Sequence, residues 1–493
     1  MQPTPQTPAL QTLAAHTIPH WDQEADVLVI GQGVAGSCAA LEAQAAGAEV
    51  LIIERASGGG GASALSSGIF YLGGGTPVQL AAGYADDADQ MARFLMASCD
   101  PADPNAALDF CRDSAAHFGW LEAHGVPFER SYFPGKAVYL LDTTCLMWTG
   151  NEKAWPYRDI ARPAPRGHKV AGAGENAGAV AMQALLGACA AAGIPALYDS
   201  AVTALVQDEA GRVVGVAVKQ PGALLHIRAR RGVVLACGSH NMAADLIAAH
   251  LPLLGATSEP LGVPANDGAG LRLGLSAGAA TAAMDGVIPT ASIYPPAGLI
   301  KGIIVNAAGQ RFVAEDVYHG RLANFVMEQP DQRAYLIVDS ETFAYPEIPS
   351  ARHTLVDGFA SIAEMEAGLE IPTGALQATM AAYNADAAAG EDRRFHKQAE
   401  WLKPLDVGPW AAFDISFNRS TYLFITLGGL STNADGQALD LYARPIPGLY
   451  AAGATAAHIP RSGKSYASGL SLGPGSYFGR RAGAHAAGAG WPA

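Results

Sequence analysis

The 493-residue chain lacks any run of about 20 uncharged apolar residues, the length that a membrane-spanning helix needs, although half of its residues are hydrophobic. The sequence therefore predicts no membrane span. Residues 1–20 contain four prolines and no basic cluster, which is unlike a secretory signal. We expect residues 1–22 to form a loose N-terminal extension and the protein to be cytoplasmic.

Cysteine motifs are equally scarce. The chain has six cysteines, none in a CxxC pair, and no Cys/His cluster has the spacing of a zinc site or of haem attachment. We expect these cysteines to be reduced thiols that pack as small hydrophobic residues. No metal site is predicted.

Positive charge is also in deficit, with 31 Lys and Arg residues against 45 Asp and Glu residues and a net charge of −14 at pH 7. Nucleic acids and anionic membranes attract basic surfaces, so neither is expected as a partner. The length is sufficient for two or more domains with a large core. The charge itself has no bearing on the fold.

A strand–turn–helix motif near the N-terminus predicts a dinucleotide site. Residues 26–30 form an apolar run typical of a buried strand, a GxGxxG turn follows, and the next residues favour a helix. Gly31 permits the tight turn, Gly33 lets the backbone approach a pyrophosphate, and Gly36 lets helix and strand pack closely. The helix N-terminus offers unpaired N–H groups to phosphate. A second apolar run ends at Glu54, at the spacing of the acid that binds a ribose.

The segment after Glu54 favours FAD over NAD as the cofactor. Residues 55–68 are rich in glycine, alanine and serine. A run of small residues lets backbone N–H groups wrap around the pyrophosphate and ring of a flavin, and a soluble NAD-dependent dehydrogenase rarely needs one. The sequence thus predicts an FAD-binding protein.

Six further stretches match, in order, the motifs of a known flavoprotein family. They are residues 211–216, 231–238, 266–279, 305–312, 427–436 and 447–453. Their order and spacing together are far more specific than any single stretch. Over about residues 24–485, the chain resembles the flavoprotein family of fumarate reductases and succinate dehydrogenases, in its 3-ketosteroid dehydrogenase branch.

This resemblance implies an α/β fold with a Rossmann-like FAD-binding domain that is discontinuous in sequence. We predict its two parts at residues 1–285 and 411–493, with an inserted α+β cap domain, also catalytic, at residues 286–410. Hydrophobic patterning agrees. It predicts strands at 202–206, 213–218, 233–236, 334–338, 421–426 and 448–452, and helices at 361–366 and 372–389. The active site is expected in the cleft between the cap and the flavin domain.

The resemblance also implies which residues contact FAD. They belong to the first turn, the segment rich in small residues, the ends of later strands and a C-terminal motif. The predicted FAD contacts are Gly31, Gly33, Val34, Ala35, Gly36, Glu54, Arg55, Gly61, Ala62, Ser63, Ser66, Ser67, Gly68, Val202, Ala236, Gly238, Asp267, Gly453, Ala454, Ser468, Leu470, Ser471 and Leu472.

The C-terminal motif departs from that of a fumarate reductase. Dicarboxylate substrates require arginines and histidines around the cleft, and the fumarate reductase signature resembles GE…G…RLGGNSL. Here Ala454 replaces the acid, and Tyr466-Ala-Ser468-Gly replaces the part with the arginine and asparagine. Arg461 and Lys464 remain nearby. The motif therefore favours a neutral ketone over a dicarboxylate.

Hydroxyl side chains suit a ketone, because they can hydrogen-bond a carbonyl or pass on a proton. Residues 465–469 resemble the motif of 3-ketosteroid Δ4-(5α)-dehydrogenases, and residues 315–320 resemble the cap segment that supplies their other tyrosine. In that family a proton leaves the carbon beside the 3-ketone, and the hydride on the following carbon passes to flavin N5. The resemblance implies Tyr466, Ser468 and Tyr318 as catalytic residues. They would form a Tyr–Ser–Tyr proton relay in which Tyr466 also polarises the ketone.

The predicted substrate is a small 3-ketosteroid-like molecule that gains a C4–C5 double bond, with an electron acceptor that the sequence leaves open. One alternative is a 3-ketosteroid Δ1-dehydrogenase, which usually has a YPGPG-like run after its C-terminal tyrosine, where this chain has Tyr466-Ala-Ser-Gly-Leu. A second is an enoate reductase, similar to fumarate reductase, that acts on a small acid. A third is a flavin-containing binding or redox-sensing protein without turnover.

For several side chains near the predicted catalytic residues, we expect a role in the fold and not in catalysis. Glu315 and Asp316 are expected in salt bridges or helix caps. Trp148, Trp155 and Tyr157 form an aromatic segment that is expected to pack in the interior or line a pocket wall.

Overall fold

A computed structural model describes residues 11–290, 293–294, 296–347, 353–457 and 459–491. Within these ranges the chain forms strands numbered in sequence order. They are β1 (Leu13–Ala14), β2 (Gln23–Ile30), β3 (Val50–Ile53), β4 (Ile69–Tyr71), β5 (Leu146–Met147), β6 (Gly167–Lys169), β7 (Ala196–Leu197), β8 (Ala201–Gln207), β9 (Val213–Gln220), β10 (Ala223–Leu235), β11 (Ser258–Pro260), β12 (Thr281–Ala282), β13 (Val287–Thr290), β14 (Ile303–Asn306), β15 (Ala334–Asp339), β16 (Thr354–Phe359), β17 (Trp410–Asp414), β18 (Tyr422–Thr426), β19 (Gly429–Leu430), β20 (Gln437–Leu439) and β21 (Pro445–Ala451).

The α-helices are numbered in the same way. They are α1 (Val34–Ala45), α2 (Gly61–Leu65), α3 (Pro77–Ala81), α4 (Ala88–Cys99), α5 (Pro104–Ala123), α6 (Tyr157–Ile160), α7 (Gly178–Ala191), α8 (Ala244–His250), α9 (Ala269–Ser276), α10 (His319–Met327), α11 (Ile362–Gly368), α12 (Ala375–Ala388) and α13 (Leu472–Ala486). Among the described residues we find no helix that combines the length and the hydrophobicity of a membrane span.

The largest sheet has nine strands, in the order β1-β8-β9-β10-β2-β3-β7, with β21 paired to β10 and β20 paired to β21. Strand β2 runs parallel to β3, with Val27 opposite Val50, and parallel to β10, with Leu28 opposite Val233. All of β3 and the last four residues of β2 are buried. Burial on both faces explains why these strands appear in the sequence as continuous apolar runs.

Strand β10 joins the two parts of the flavin domain. Its first half pairs antiparallel with β9, and its end pairs parallel with β21, where Val233 lies opposite Leu449. The C-terminal part of the chain thereby returns to the sheet that the N-terminal part begins. This confirms the predicted α/β fold with a discontinuous Rossmann-like domain.

Helix α13 packs directly on the dinucleotide helix α1. A Cβ atom at Gly479 would lie 2.4 Å from the carbonyl oxygen of Ala35, and one at Gly483 would lie 2.1 Å from that of Ala39. Real Cβ atoms do not approach carbonyl oxygens so closely, so a larger residue at either position would push the helices apart. The close packing fixes the C-terminal segment against the start of the cofactor site.

The cap domain contains a four-stranded antiparallel sheet in the order β14-β15-β17-β16. Helices α11 and α12 contribute to its separate hydrophobic core. The predicted boundary between residues 410 and 411 falls inside β17, and β13 pairs with β18 outside this sheet. We therefore propose residues 303–414 as the cap, in place of 286–410.

The N-terminal segment differs from the expected loose extension. Residues 1–10 lie outside the described residues. From Leu13 onward the chain is anchored, because β1 pairs parallel with β8 and places Leu13 opposite Val206. A composition rich in proline and glutamine does not reveal such a distant pairing.

Candidate active site

The carboxyl ends of β2, β3, β10 and β21 lie at the same edge of the largest sheet, because these strands run parallel and adjacent. Predicted FAD contacts follow each of these ends. They are Gly31, Gly33, Val34, Ala35 and Gly36 after β2, Glu54 and Arg55 after β3, Ala236 and Gly238 after β10, and Gly453 and Ala454 after β21. Ligands of open α/β sheets bind outside the carboxyl ends of the strands. The structure therefore brings these residues together where a cofactor would lie.

The first turn has the geometry that a pyrophosphate needs. Gly31 has a φ of +99°, and a Cβ atom there would lie 2.4 Å from the Ala236 carbonyl oxygen. A Cβ atom at Gly36 would lie 1.9 Å from the Gly31 carbonyl oxygen. Gly33 precedes α1 without a side-chain cap, and no acidic residue lies in the first helical turn. These residues fit an anionic diphosphate at the positive end of α1.

Glu54 is held in place by the backbone on both sides. Its carboxylate accepts hydrogen bonds from the backbone N–H of Gln32 at 2.8 Å and of Ala56 at 2.9 Å. A carboxylate has about four lone-pair sites, so acceptor capacity is left for a ribose hydroxyl. Next to it, Arg55 forms an ion pair with Asp267 at 2.8 Å. Two of the predicted FAD contacts are thus paired with each other.

The segment rich in small residues folds back over the first turn. It contains α2, which includes the predicted contacts Gly61, Ala62 and Ser63, whereas Ser66, Ser67 and Gly68 follow that helix. The Val34 N–H donates to the Ser63 hydroxyl at 3.2 Å. The Ser66 hydroxyl donates to the Ser63 carbonyl at 2.7 Å.

Val202, a predicted contact from a distant part of the sequence, also lies near this edge of the sheet. It is in β8, two residues after Ser200, whose N–H donates to the Glu54 carbonyl at 3.0 Å. The strands next to the dinucleotide motif thus bring Val202 toward the end of β3.

The C-terminal motif lies tightly against β4. Gly469 has a φ of +94°, and a Cβ atom there would lie 2.4 Å from the Tyr71 backbone nitrogen. A Cβ atom at Gly473 would lie 2.4 Å from the Tyr71 carbonyl oxygen. Leu470 is fully buried, and Leu472 begins α13 directly after Ser471. This contact fixes the backbone from which the predicted catalytic hydroxyls project.

The three predicted catalytic side chains come together across the boundary between the cap and the flavin domain. The ring centroids of Tyr318 and Tyr466 are 6.1 Å apart, with an interplanar angle of 39°. The Ser468 hydroxyl donates to the Tyr318 hydroxyl at 3.4 Å, and the Tyr466 and Ser471 hydroxyls are 2.8 Å apart. Tyr318, Tyr466 and Ser468 are each at most 9% exposed. Tyr318, Tyr466 and Ser468, together with Ser471, are termed the tyrosine cluster.

The predicted continuous Tyr–Ser–Tyr chain differs from the observed arrangement. Within the described residues, the hydroxyls form two pairs, Ser468 with Tyr318 and Ser471 with Tyr466. Ser471 was predicted as an FAD contact only. The turn at Gly469 reverses the chain and brings Ser471 to the Tyr466 hydroxyl, which spacing along the sequence does not reveal.

Burial makes the two phenols of the tyrosine cluster harder to ionise. It raises the pKa of Tyr318 well above its ordinary value, and the neighbouring Tyr466 adds to that effect. Burial also raises the pKa of Tyr466, while the hydrogen bonds with Ser471 oppose the change. Both phenols are therefore neutral hydroxyls near pH 7, and neutral donors match an uncharged carbonyl oxygen.

The two cations that the sequence places near the motif are paired with acids. Lys464 forms an ion pair with Glu328, and Arg461 lies 3.8 Å from Asp100. A dicarboxylate would need cations that are free to pair with it. The pairing of Arg461 and Lys464 therefore favours a neutral ligand at the tyrosine cluster.

Two positions that the sequence analysis did not single out connect the segments around the tyrosine cluster. Asn151 accepts a hydrogen bond from the Tyr318 N–H at 3.0 Å and donates one to the Tyr466 carbonyl at 3.2 Å. Arg321 donates to the Tyr157 hydroxyl and to the Lys464 carbonyl, both at 2.8 Å. In the sequence, Asn151 is marked only by the polar Gly-Asn pair that it forms with Gly150 inside the aromatic segment. This pair does not predict hydrogen bonds to residues that are distant in sequence.

A second group of buried polar residues lies in the cap. Arg311 forms ion pairs with Glu315 at 2.8 Å and Asp392 at 2.9 Å, and Lys397 lies 3.2 Å from Glu315. Each of the four is at most 5% exposed. These residues are termed the cap ion cluster. The structural interpretation of Glu315 is confirmed, and Asp316 also has a structural partner, because it accepts a hydrogen bond from the Gln398 N–H at 2.9 Å.

Comparisons with known proteins agree with this site. The sequence model of a family described as FAD binding domain matches residues 26–465. The chain is 30% identical over 496 residues to the 3-oxo-5-alpha-steroid 4-dehydrogenase of Comamonas testosteroni, covering 88% of this chain and 93% of that protein. It is 27% identical to the urocanate reductase of Eggerthella lenta, covering 94% of this chain and 75% of that protein.

Solved structures give the same result. The 3-ketosteroid-delta4-(5alpha)-dehydrogenase of Rhodococcus jostii, in complex with 4-androstene-3,17-dione, superposes with a TM-score of 0.91 at 40% identity, covering 97% of this chain and 100% of that chain. The 3-ketosteroid delta1-dehydrogenase of Sterolibacterium denitrificans shares the fold with a TM-score of 0.70 at 22% identity, covering 94% and 100%. The family model spans most of the chain. The first turn and Glu54 of this chain also fit an FAD diphosphate and ribose, as described above. The chain therefore belongs to the FAD binding domain family of flavoproteins, with FAD as its cofactor.

Proposed function

We propose that this protein is an FAD-dependent 3-ketosteroid dehydrogenase that introduces a double bond between C4 and C5 of a 3-oxo-5α-steroid. The observation that carries the proposal is the convergence of Tyr318, Tyr466 and Ser468 as buried, neutral hydroxyls beside the flavin domain. Further support is the likeness to the Rhodococcus jostii enzyme, whose bound ligand is a 4-ene-3-ketone.

In this proposal, the strand ends of the flavin domain hold the cofactor. The N-terminus of α1 and the Ser63 hydroxyl would bind the diphosphate, and Glu54 would bind the ribose. FAD, when bound, supplies the acceptor for the hydride that leaves the substrate. The protein's own part is to orient the steroid and to remove a proton.

The tyrosine cluster supplies the proton chemistry. A proton beside a ketone is weakly acidic, so the developing charge on the ketone oxygen must be stabilised by a fixed donor. The Tyr466 hydroxyl, held by Ser471 at 2.8 Å, is suited to that role. The Ser468–Tyr318 pair would accept the proton that leaves the carbon beside the ketone while it passes one of its own hydroxyl protons on to water, so that the pair stays neutral. Its 3.4 Å hydrogen bond is long, and so leaves acceptor capacity on these hydroxyls.

The charge around the cluster supports a ketone over a small carboxylic acid. The tyrosines are uncharged near neutral pH, and burial raises their pKa values further, so neither provides a charge for an anionic substrate. Arg461 and Lys464 have acidic partners. An anionic substrate that recruited either of them would exchange one acidic partner for another, which gains little.

An anaerobic titration of the purified flavoprotein with a saturated 5α-3-ketosteroid tests the proposal. We expect the oxidised flavin absorption band to bleach and a 4-ene-3-ketone to form. A 1-ene product would instead indicate a Δ1-dehydrogenase. Absence of bleaching by the steroid, with reoxidation of the chemically reduced flavin and return of its absorption band on addition of acrylate-type acids, would indicate an enoate reductase. Either result would overturn the proposed reaction.

A further inference from the structure

Asn151 connects the backbones of the two tyrosines from a third segment of the chain. Its Oδ1 accepts from the Tyr318 N–H at 3.0 Å, and its Nδ2 donates to the Tyr466 carbonyl at 3.2 Å. Since an N–H can only donate and a carbonyl can only accept, these partners determine the orientation of the amide. The side chain is 1% exposed, so water cannot readily replace either bond.

The loop that carries Asn151 is itself tightly fixed. Gly150 has a φ of +110°, and a Cβ atom there would lie 3.2 Å from the Tyr318 Cα. Glu152, which is also 1% exposed, accepts hydrogen bonds from the Gly150 N–H at 3.0 Å and from the Thr149 hydroxyl. The amide is therefore presented to the two backbones from a closed turn in contact with Tyr318.

The position of the phenol oxygens depends on the backbones that Asn151 holds. Tyr318 lies just before α10 of the cap, and Tyr466 lies in the C-terminal motif of the flavin domain. A phenol hydroxyl is far from its Cα, so a small backbone rotation produces a large displacement of the oxygen. In reacting groups, a misplacement of about 1 Å costs on the order of 10²-fold in rate.

Arg321 connects the same three segments, but its side-chain hydrogen bonds within the described residues go to Tyr157 and Lys464 and not to the backbone of Tyr318 or Tyr466. Its Nη1 donates to the Tyr157 hydroxyl and to the Lys464 carbonyl, both at 2.8 Å. A side chain that only held the segments together would act through contacts such as these. Arg321 is therefore a matched control for Asn151.

We propose that Asn151 is a positioning residue that sets the separation of the Tyr318 and Tyr466 hydroxyls, and through them the rate of proton removal. The proposal rests on the proposed dehydrogenase function. It assigns Asn151 no contact with the substrate. Its loss should therefore lower kcat far more than it raises KM.

Three variants test this role: Asn151→Ala, Asn151→Asp and Arg321→Met. With a 5α-3-ketosteroid, we expect Asn151→Ala to reduce flavin bleaching by about 10- to 100-fold, with KM and FAD content close to those of the wild type. Arg321→Met should lower the melting temperature and leave kcat near the wild-type value. Equal loss of kcat in Arg321→Met and Asn151→Ala, or a wild-type kcat in Asn151→Ala, would overturn the proposal.

Asn151→Asp gives a further readout, the pH dependence of kcat. A side chain that only held the segments together would not change it. An ionised carboxylate can accept from the Tyr318 N–H but cannot donate to the Tyr466 carbonyl, whereas a protonated carboxyl can do both. We expect its kcat, relative to the wild type at each pH, to recover as pH falls. A constant ratio across pH would contradict the assignment.

Crystal structures of the wild type and Asn151→Ala separate this inference from the proposed function. We expect the 6.1 Å separation of the Tyr318 and Tyr466 ring centroids to change in the variant, and an unchanged separation would overturn the positioning role. This result does not depend on turnover. If no 3-ketosteroid bleaches the wild-type flavin, the proposed function fails, and the structures still decide the role of Asn151.

Discussion

The cap ion cluster and the tyrosine cluster are both buried and polar, and they are close in sequence, since Glu315 belongs to one and Tyr318 to the other. In the cap ion cluster, opposite charges are matched: Arg311 contacts two carboxylates, and Lys397 contacts Glu315 and donates to the Gly302 carbonyl at 2.7 Å. In the tyrosine cluster, the hydrogen bonds among the described residues join neutral hydroxyls in two pairs, one of them at 3.4 Å.

This difference indicates that the buried polar groups of the cap ion cluster stabilise the fold, whereas those of the tyrosine cluster are available to a ligand. A buried charge that loses its partner is strongly destabilising, so the cap ion cluster should affect mainly the folding of the cap. Neutral hydroxyls with spare donors and acceptors can exchange partners with a ligand at little cost. We therefore expect substitutions in the cap ion cluster to change stability and substitutions in the tyrosine cluster to change turnover.

The largest effect is expected from Tyr466→Phe. Loss of the hydroxyl should lower kcat by about 10²- to 10⁴-fold, the range typical of a positioned proton donor or acceptor, while FAD stays bound. Stopped-flow bleaching and the flavin-to-protein ratio measure both quantities. The matched control is Tyr383→Phe, a buried cap tyrosine whose hydroxyl donates to the Lys301 carbonyl at 3.1 Å, and its turnover should be unchanged. An active Tyr466→Phe protein would remove Tyr466 from the mechanism.

Asp392→Asn should instead reduce stability, by about 3–5 kcal/mol, because it leaves buried positive charge without its full complement of carboxylates. Denaturation in urea, followed by circular dichroism, measures the loss. The turnover of the remaining folded, FAD-loaded protein should stay near that of the wild type. The control is Asp89→Asn in the exposed pair with Arg93, where no measurable change is expected. Equal stability of the Asp392→Asn and wild-type proteins would contradict the structural role of the cluster.

Acid should weaken the cap ion cluster and leave the protonation of the two tyrosines unchanged, because their raised pKa values keep them neutral at every pH below 7. Burial alone would raise the pKa of Glu315 and of Asp392, but Arg311, with Lys397 in the case of Glu315, lowers both below their ordinary values. A carboxyl with a lowered pKa stabilises the fold above its unfolded pKa, near 4, and that contribution is lost as pH falls through the folded pKa. Melting temperatures from pH 7 to pH 3 should show this loss in the wild type and a smaller loss in Asp392→Asn. Parallel curves would exclude the cluster as the cause.

The smallest effect is expected from Ser468→Ala. Its hydrogen bond to Tyr318 is 3.4 Å long and therefore weak, so we expect a decrease in kcat well below that of Tyr466→Phe, of about 10-fold, which corresponds to the loss of about 1 kcal/mol from one hydrogen bond. Stopped-flow bleaching of the two variants side by side measures the order. A larger loss in Ser468→Ala than in Tyr466→Phe would reverse the proposed roles.

Much of the cofactor site could be predicted from the sequence because its requirements are local. Gly31 and Gly36 are recognisable since no larger residue fits the turn, and β2 and β3 are recognisable as apolar runs since both faces are buried. The order of distant motifs, by resemblance, also indicated the discontinuous flavin domain and the meeting of Tyr318 with Tyr466.

The features for which the structure suggests a change depend on distant contacts. Strand β1 forms because Leu13 lies opposite Val206, and our proposed cap includes β17 because that strand pairs with β15. The local composition of β1 and of β17 predicts neither pairing. The sequence likewise identified the hydroxyls at positions 318, 466 and 468 but not their partners.

The sequence by itself thus determined the fold class and FAD as the cofactor, because glycine geometry and strand burial are properties of short segments. The residues that contact FAD and those that supply the catalytic hydroxyl groups remain predictions, which the family resemblance supplied. The tertiary structure decided that Ser471 rather than Ser468 pairs with Tyr466, and that Asn151 joins the backbones of Tyr318 and Tyr466. Those choices depend on how the cap, the aromatic segment and the C-terminal motif pack together. A hydrogen bond between such segments is set by their relative positions to within a fraction of an ångström, which no local pattern encodes.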